Sequence, residues 1–359
     1  MKENAEIIRL LLNMPQIEIN VPYKSRSINQ YYEYNTYEST ALHFAAKKEN
    51  NEIIKLLISK SDAIVNIPQK HLLCYHDGKV ENQLGEIALH IAVEEENIEI
   101  IQYLLSLDNI DVNAIFETSI NLPDDYYKKT KTPLVIAINK RNIEIVKLFL
   151  TKPELNINQI IEYDISWSWR HEKTVLQLAV ENDFNEIAQL LIANPKVDIN
   201  TITKITSTPD SPIYKHNESK YTPLYIAVEK GNIEIVKALL ARSDIKLNII
   251  FDSSYEEYFD EDKKITFSGD SETTVLHTAV EKENLEIIQL LLNKPDLDVA
   301  ISVKEKGTAM KVAIKKENIK IIELLLEKIP KIIDSNDKKE IMKLLEKNGG
   351  NDKIMHLIS

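Results

Sequence analysis

One motif recurs seven times along these 359 residues, and a chain that repeats itself so densely folds by stacking units, not around one central core. The copies are TALHFAAKKENNEIIKLLI from Thr40, IALHIAVEEENIEIIQYLL from Ile87, TPLVIAINKRNIEIVKLFL from Thr132 and TVLQLAVENDFNEIAQLLI from Thr174. TPLYIAVEKGNIEIVKALL from Thr222, TVLHTAVEKENLEIIQLLL from Thr274 and TAMKVAIKKENIKIIELLL from Thr308 complete the set. A partial copy, Asn4 to Leu12, carries only the second half of the unit.

Each copy reads as two short antiparallel helices. The leading Thr can cap the first helix through its hydroxyl, and Pro133 and Pro223 follow where a missing N–H costs nothing. Ile87 takes the Thr position in the second copy, so there the cap is lost or supplied by a neighbour. Apolar residues stand three apart with a small one where helices approach: Leu42 and Ala45, Leu224 and Ala227, Leu276 and Ala279. A break falls at Gly231, or at Glu and Asp in sister copies, and Asn97, Asn142, Asn232, Asn284 and Asn318 open the second helix. Its apolar residues, such as Ile235, Val236, Leu239 and Leu240, recur at helical spacing. Neither helix hides its apolar stripe alone; stacked copies do.

T-P-L-x-x-A followed by G-N-I-E-I-V-K-x-L-L resembles the ankyrin repeat, best in Thr222–Leu240 and Thr132–Leu150. The resemblance implies an all-α fold, an ankyrin-repeat solenoid of stacked helix-turn-helix units with elongated β-hairpin or loop insertions. It places the array over residues 1–330, with a partial unit at 1–19 and full units starting at 40, 87, 132, 174, 222, 274 and 308. Residues 331–359 then form a C-terminal capping region, in which Ile332–Lys347 is expected to be a last amphipathic helix with Ile341, Leu344 and Leu345 inward. The resemblance also makes His43, His90 and His277 structural bridges to the neighbouring finger's backbone, and it implies a protein-binding scaffold.

Consecutive copies begin 47, 45, 42, 48, 52 and 34 residues apart. An ankyrin period is about 33 residues, so five of the six intervals carry extra chain. With both helices intact, that extra length lies in the finger joining one unit's second helix to the next unit's first. Asn20, Asn66, Asn113, Asn158, Asn200 and Asn248 stand at a common offset where each finger starts, a pattern that suggests turn or backbone bonding.

Of the 15 tyrosines, 13 fall in these fingers, as do both tryptophans. Tyr and Trp give large rigid contact area and a polar handle at small entropic cost, which binding surfaces favour. The expected protein-binding residues are therefore Tyr31, Tyr32, Tyr34, Tyr37, Tyr75, Tyr126, Tyr127, Trp167, Trp169, Tyr214, Tyr255, Tyr258 and Phe259, with Glu256, Glu257 and Asp260. Packing of these rings sideways between adjacent fingers is the competing reading. The sixth finger, 248–273, holds eight acidic and two basic residues, a charge that would speed encounter with a basic partner. The ends of the first helices, from Lys47-Lys48 through Glu94-Glu95 to Lys315-Lys316, offer a further charge register on the expected concave face.

Other classes fit less well. A net charge of −12 argues against nucleic acid, which needs clustered Lys and Arg. A single cysteine, Cys74, suits a reducing, cytoplasmic setting, and no apolar run is long enough for membrane insertion. Phosphate-loop, dinucleotide and zinc-protease templates are missing, so no enzyme activity and no cofactor are expected. His71, Cys74, His76 and Asp77 are metal-ligand types, but their spacing is not that of paired chelating dyads. Two alternatives stand beside the scaffold: an adaptor or regulatory fragment whose catalytic domain is absent, and a metal or enzymatic site in the 71–77 cluster.

Overall fold

The computed structural model describes residues 2–14, 16–27, 32–60, 63–75, 80–122, 125–166, 169–207, 218–253, 258–260, 263–265, 271–328, 335–347 and 355. Contacts group the chain into two compact units, Met1–Trp167 and Ser168–Ser359. The first contains α1 (Lys2–Leu12), β1 (Tyr23–Ser27), β2 (Tyr32–Ser39), α2 (Ala41–Lys47), α3 (Asn51–Ile58), β3 (Lys70–Tyr75) and β4 (Val80–Leu84). It continues with α4 (Ala88–Glu94), α5 (Ile98–Leu105), β5 (Phe116–Leu122), β6 (Asp125–Lys131), α6 (Pro133–Asn139), α7 (Ile143–Leu150) and β7 (Ile161–Ser166). The second contains β8 (Trp169–Lys173), α8 (Val175–Glu181), α9 (Asn185–Ala193), β9 (Thr203–Ser207), β10 (Glu218–Tyr221), α10 (Pro223–Glu229), α11 (Ile233–Leu240) and β11 (Phe251–Ser253). Then follow β12 (Tyr258–Asp260), β13 (Lys263–Ile265), β14 (Ser271–Thr273), α12 (Val275–Glu281), α13 (Leu285–Leu292), β15 (Ser302–Val303), β16 (Gly307–Thr308), α14 (Ala309–Lys315), α15 (Ile319–Lys328) and α16 (Ser335–Lys347).

Each first helix has only seven residues, too few to persist alone, so caps and packing hold it. Thr132 Oγ1 accepts the Val135 N–H at 3.2 Å, and Thr222 Oγ1 does the same for Tyr225. Where Ile87 lacks a hydroxyl, the His90 ring supplies the closure: its Nδ1 accepts the Ile87 N–H at 3.2 Å. His43 and Gln177 make the same return bond to Thr40 and Thr174.

The first helix ends in a left-handed residue, and only Gly231 suits that conformation without strain. Glu49, Glu96, Arg141, Asp183, Glu283 and Glu317 adopt it with φ between 51° and 57°. The turn that follows is the same at each: the N–H of Asn142 bonds Ala137 O, and that of Asn232 bonds Ala227 O. Asn side chains then cap the second helix, as Asn97 does for Ile100 and Asn232 for Ile235. Helix α9 is the exception, with Phe184 at its cap position and no side-chain bond there.

Within each unit the first helices form one row and the second helices another, and the apolar residues close between them. Leu89, Ile145, Phe149, Ala179, Leu239 and Ile287 are fully buried. At the C-terminal end Ile341 and Leu345 are buried and Leu344 half-buried; α16 starts at Ser335, and the segment from Ile332 to its start lies outside the described residues.

Three polar ladders link successive repeats. Asn66, Asn113, Asn200 and Asn248 each accept a backbone N–H from the next repeat's turn and donate to a carbonyl there. Asn113, for example, holds Asn156 N at 2.7 Å and Glu154 O at 2.9 Å. Cap asparagines send their amide the other way: Asn97 to Asn51, Asn142 to Glu96, Asn232 to Asn185 and Asn318 to Glu283. Basic side chains close the last carbonyls of the preceding second helix: Lys152 on Leu105 O, Arg242 on Ile192 O and Lys294 on Leu240 O.

Candidate protein-binding surface

The fingers start where the asparagine ladder ends, and in four of them the first inward residue is apolar. Phe116, Ile161, Phe251 and Val303 stand at a common offset and are at most 5% exposed. Phe116 meets the His90 ring edge-on at 4.9 Å, and Phe251 lies 4.8 Å from the Tyr225 ring on α10. These two rings root the third and sixth fingers on α4 and α10. In the sequence the four residues are the apolar ones three places after Asn113, Asn158, Asn248 and Ala300; the same offset holds Gln69 and Thr203 in two other fingers.

The same helices bond the fingers through the third-position side chain. His43 Nε2 meets Glu86 O at 3.0 Å, His90 Nε2 meets Ala114 O at 3.0 Å, and His277 Nε2 meets Gly307 O at 2.9 Å. At His43 and His90, Nδ1 already accepts a backbone N–H, so Nε2 carries the proton and donates; the ring is neutral. Gln177 copies the arrangement with its amide, donating to Tyr221 O at 3.0 Å. Burial pushes all three histidines below the ordinary value, His90 to about 4.

Farther out, the fingers pair sideways into antiparallel sheets. In the first unit β1, β2, β3 and β4 form one sheet, and β5, β6 and β7 are neighbours in another. In the second, β8, β9, β10, β11 and β14 are consecutive neighbours, while β12 and β13 pair with each other. Adjacent fingers are thus hydrogen-bonded through β2 and β3, β6 and β7, β8 and β9, and β10 and β11. Elongated fingers were expected; their lateral zippering was legible only as one of two readings of the rings.

The expected binding residues distribute accordingly. Tyr37 is 40% exposed, and its ring stacks on His71 of the next finger at 4.1 Å with an 18° tilt. It is therefore both packed sideways and open to solvent. Tyr32 stands opposite Tyr75 and Tyr34 opposite Cys74 in the register of β2 and β3. Tyr126 and Tyr127 pair with Asn121 and Ile120, Trp169 with Ser207, and Tyr258, Phe259 and Asp260 with Ile265, Lys264 and Lys263. Tyr31, Trp167, Tyr214, Tyr255, Glu256 and Glu257 lie outside the described residues. Tyr23, not singled out from sequence, is 64% exposed and meets Phe44 edge-on at 6.0 Å. Of the 71–77 cluster, His71 stacks on Tyr37 and Cys74 sits in β3, while His76 and Asp77 lie outside the described residues.

The first-helix ends form the second part of the surface. Lys48, Glu95, Lys140, Lys230, Lys282 and Lys316 are exposed, and most of these cations pair between repeats. Lys140 meets Glu94 at 3.4 Å, Lys230 meets Asp183 at 2.7 Å, Lys282 meets Glu229 at 2.5 Å and Lys316 meets Glu283 at 3.2 Å. Glu94, Lys131, Ile136, Asn139 and Lys140 enclose a recess of about 250 Å³ between the third finger's base and α6. Glu86 has its carboxyl pKa raised by burial and by the negative charge of Glu94.

Repeated helix pairs with cation–anion pairs between first helices and with fingers paired into sheets define a helical-repeat scaffold. The sequence profile described as ankyrin repeats, in three copies, matches residues 1–115, 69–161, 114–203, 159–250 and 255–351, and the chain belongs to the ankyrin-repeat family. Ankyrin repeats are general protein–protein interaction modules. Among solved structures, the ankyrin repeat domain of Bcl-3, a member of the IkappaB protein family, is 18% identical. That match covers 80% of this chain and 98% of that one, with a TM-score of 0.48. An ankyrin repeat domain from Acinetobacter baumannii AYE is 20% identical over 67% of this chain and 96% of its own, with a TM-score of 0.42. No curated protein matches the chain. Among the described residues, no helix is long and apolar enough to cross a membrane.

Proposed function

We propose that this chain is a non-enzymatic protein–protein interaction scaffold that grips its partner between the exposed first-helix ends and the aromatic and acidic fingers. The observation that carries this reading is Tyr37: a finger ring held in place by a stack on His71, yet 40% exposed. Lateral pairing of the strands fixes such rings before binding, so less entropy is lost on contact. A partner with a basic surface suits the sixth finger's eight acidic residues, and a reducing, cytoplasmic setting suits the lone Cys74.

Crosslinking mass spectrometry on the chain with the proteins it retains from a native lysate tests this. Crosslinks should concentrate on the fingers and on Lys47, Lys140, Lys230 and Lys282. Replacing Tyr37 and Tyr23 by Ser should weaken retention without lowering the melting temperature by more than a few degrees. Crosslinks confined to the outer faces of the second helices would refute the proposed surface.

A further inference from the structure

Adjoining the proposed surface, with which it shares Lys48, the first unit carries an open apolar groove with a built-in charge reader. Its volume is about 690 Å³, and its walls come from α1, the segment after it, α2 and α3, including Leu11, Ile19, Val21, Phe44, Ala45 and Ile53. Exposed apolar side chains line it: Leu11, Val21 and Phe44 are each at least 41% exposed. Helix α2 packs on α4 on one side. Other residues of α2, among them Ala41, Phe44 and Ala45, face the groove, whereas α4, α10 and α12 each pack against two other first helices, as α4 on α2 and α6 and α12 on α10 and α14.

The repeats themselves specify what fits. A lysine at the C-cap of a first helix reaches back to an acid at the end of the preceding first helix, as Lys140 to Glu94, Lys230 to Asp183, Lys282 to Glu229 and Lys316 to Glu283. Two residues on, the cap asparagine reaches the preceding left-handed acid, as Asn142 to Glu96 and Asn318 to Glu283. Lys48 is the C-cap of α2 and Asn50 the cap of α3, and both line the groove. Asn50 holds the Ile53 N–H through Oδ1, as its counterparts hold theirs. Among the described residues, Lys48 has no acid paired with it.

We infer that this groove docks an amphipathic helix of a partner protein, about two turns long, with a small residue on its apolar face and carboxylates at its C-terminal end for Lys48 and Asn50. The chain's own α4 is the template: Glu94 and Glu96 at its end serve Lys140 and Asn142.

The test uses the full chain and a fluorescein-labelled, helix-stapled peptide of the sequence IALHIAVEEE, read by fluorescence anisotropy. Saturable binding is expected. Lys48→Glu should weaken it about three- to tenfold, and a peptide with its first glutamate changed to lysine should recover affinity for that variant. Phe44→Glu, at a position already 44% exposed, should abolish binding while the melting curve stays in place. No binding, or binding unchanged by Lys48→Glu, overturns the inference. A dimer of the unliganded chain, dissolved by Lys48→Glu in sedimentation velocity, would overturn the partner helix in favour of a second copy.

Discussion

The helix rows and the fingers grow from the same repeats yet obey different rules. In the rows, most copies repeat their contacts: an asparagine ladder, a cap ladder and a cationic clasp recur along the repeats, with Phe184 at the cap of α9 the exception. In the fingers, length changes at nearly every step, and among the described residues pairing is extensive between β2 and β3 but shows one register pair between β10 and β11. Contacts that must match both neighbours constrain a segment; a connection rooted at its base by one apolar ring and one side-chain bond is free to lengthen.

The largest effect should come from the rows. Phe149, fully buried in α7, becomes a cavity in Phe149→Ala, which should cost about 3–5 kcal/mol in chemical denaturation. An outer-finger change such as Tyr37→Ala should cost under about 1 kcal/mol, and equal losses would erase the contrast.

Next comes pH. His90 is buried neutral with its pKa near 4, below the ordinary 6.5, so the unfolded chain binds the extra proton. Its contribution is therefore complete above about pH 6.5 and is lost as pH falls toward 4, a change of a few kcal/mol. His90→Gln, which copies the bonding of Gln177, should flatten stability against pH in that window. An unchanged slope would show that the ring is not the linked group.

Asn113→Ala removes a side chain that satisfies two backbone groups of the next repeat, and should cost about 1–3 kcal/mol. The smallest shift has the opposite sign. Glu49→Gly relieves a left-handed glutamate and should add up to about 1 kcal/mol. Glu283→Gly should be near neutral, because it also removes the bonds that Lys316 and Asn318 make to that carboxylate and that hold its pKa down. If both variants gain equally, the inter-repeat bond contributes nothing.

Much of the row was legible because its causes are local. Thr132, Pro133 and Asn142 announce helix starts by chemistry that acts within one turn. The closure at Ile87 by the His90 ring was not, since the third-position histidine reads from sequence only as a bridge. Asn66 and Asn113 were recognisable as backbone-bonding residues, but their partners lie more than forty residues away. Lateral pairing was harder still. YEYNTYES and KHLLCY carry no strict alternation of apolar and polar residues, so nothing local says that they are partners. The groove beside α2 became visible only when Lys48 could be compared with the four lysines that occupy its place in later repeats.

Amide hydrogen exchange read residue by residue across a whole repeat bears most directly on the division between rows and fingers. Amides of Ile100, Ile145 and Leu239 should exchange last, by global opening, and protection in β5 and β6 should fall steadily from Phe116 and Lys131 outward. Finger amides as slow as those of the buried helices, opening together with them, would contradict the account.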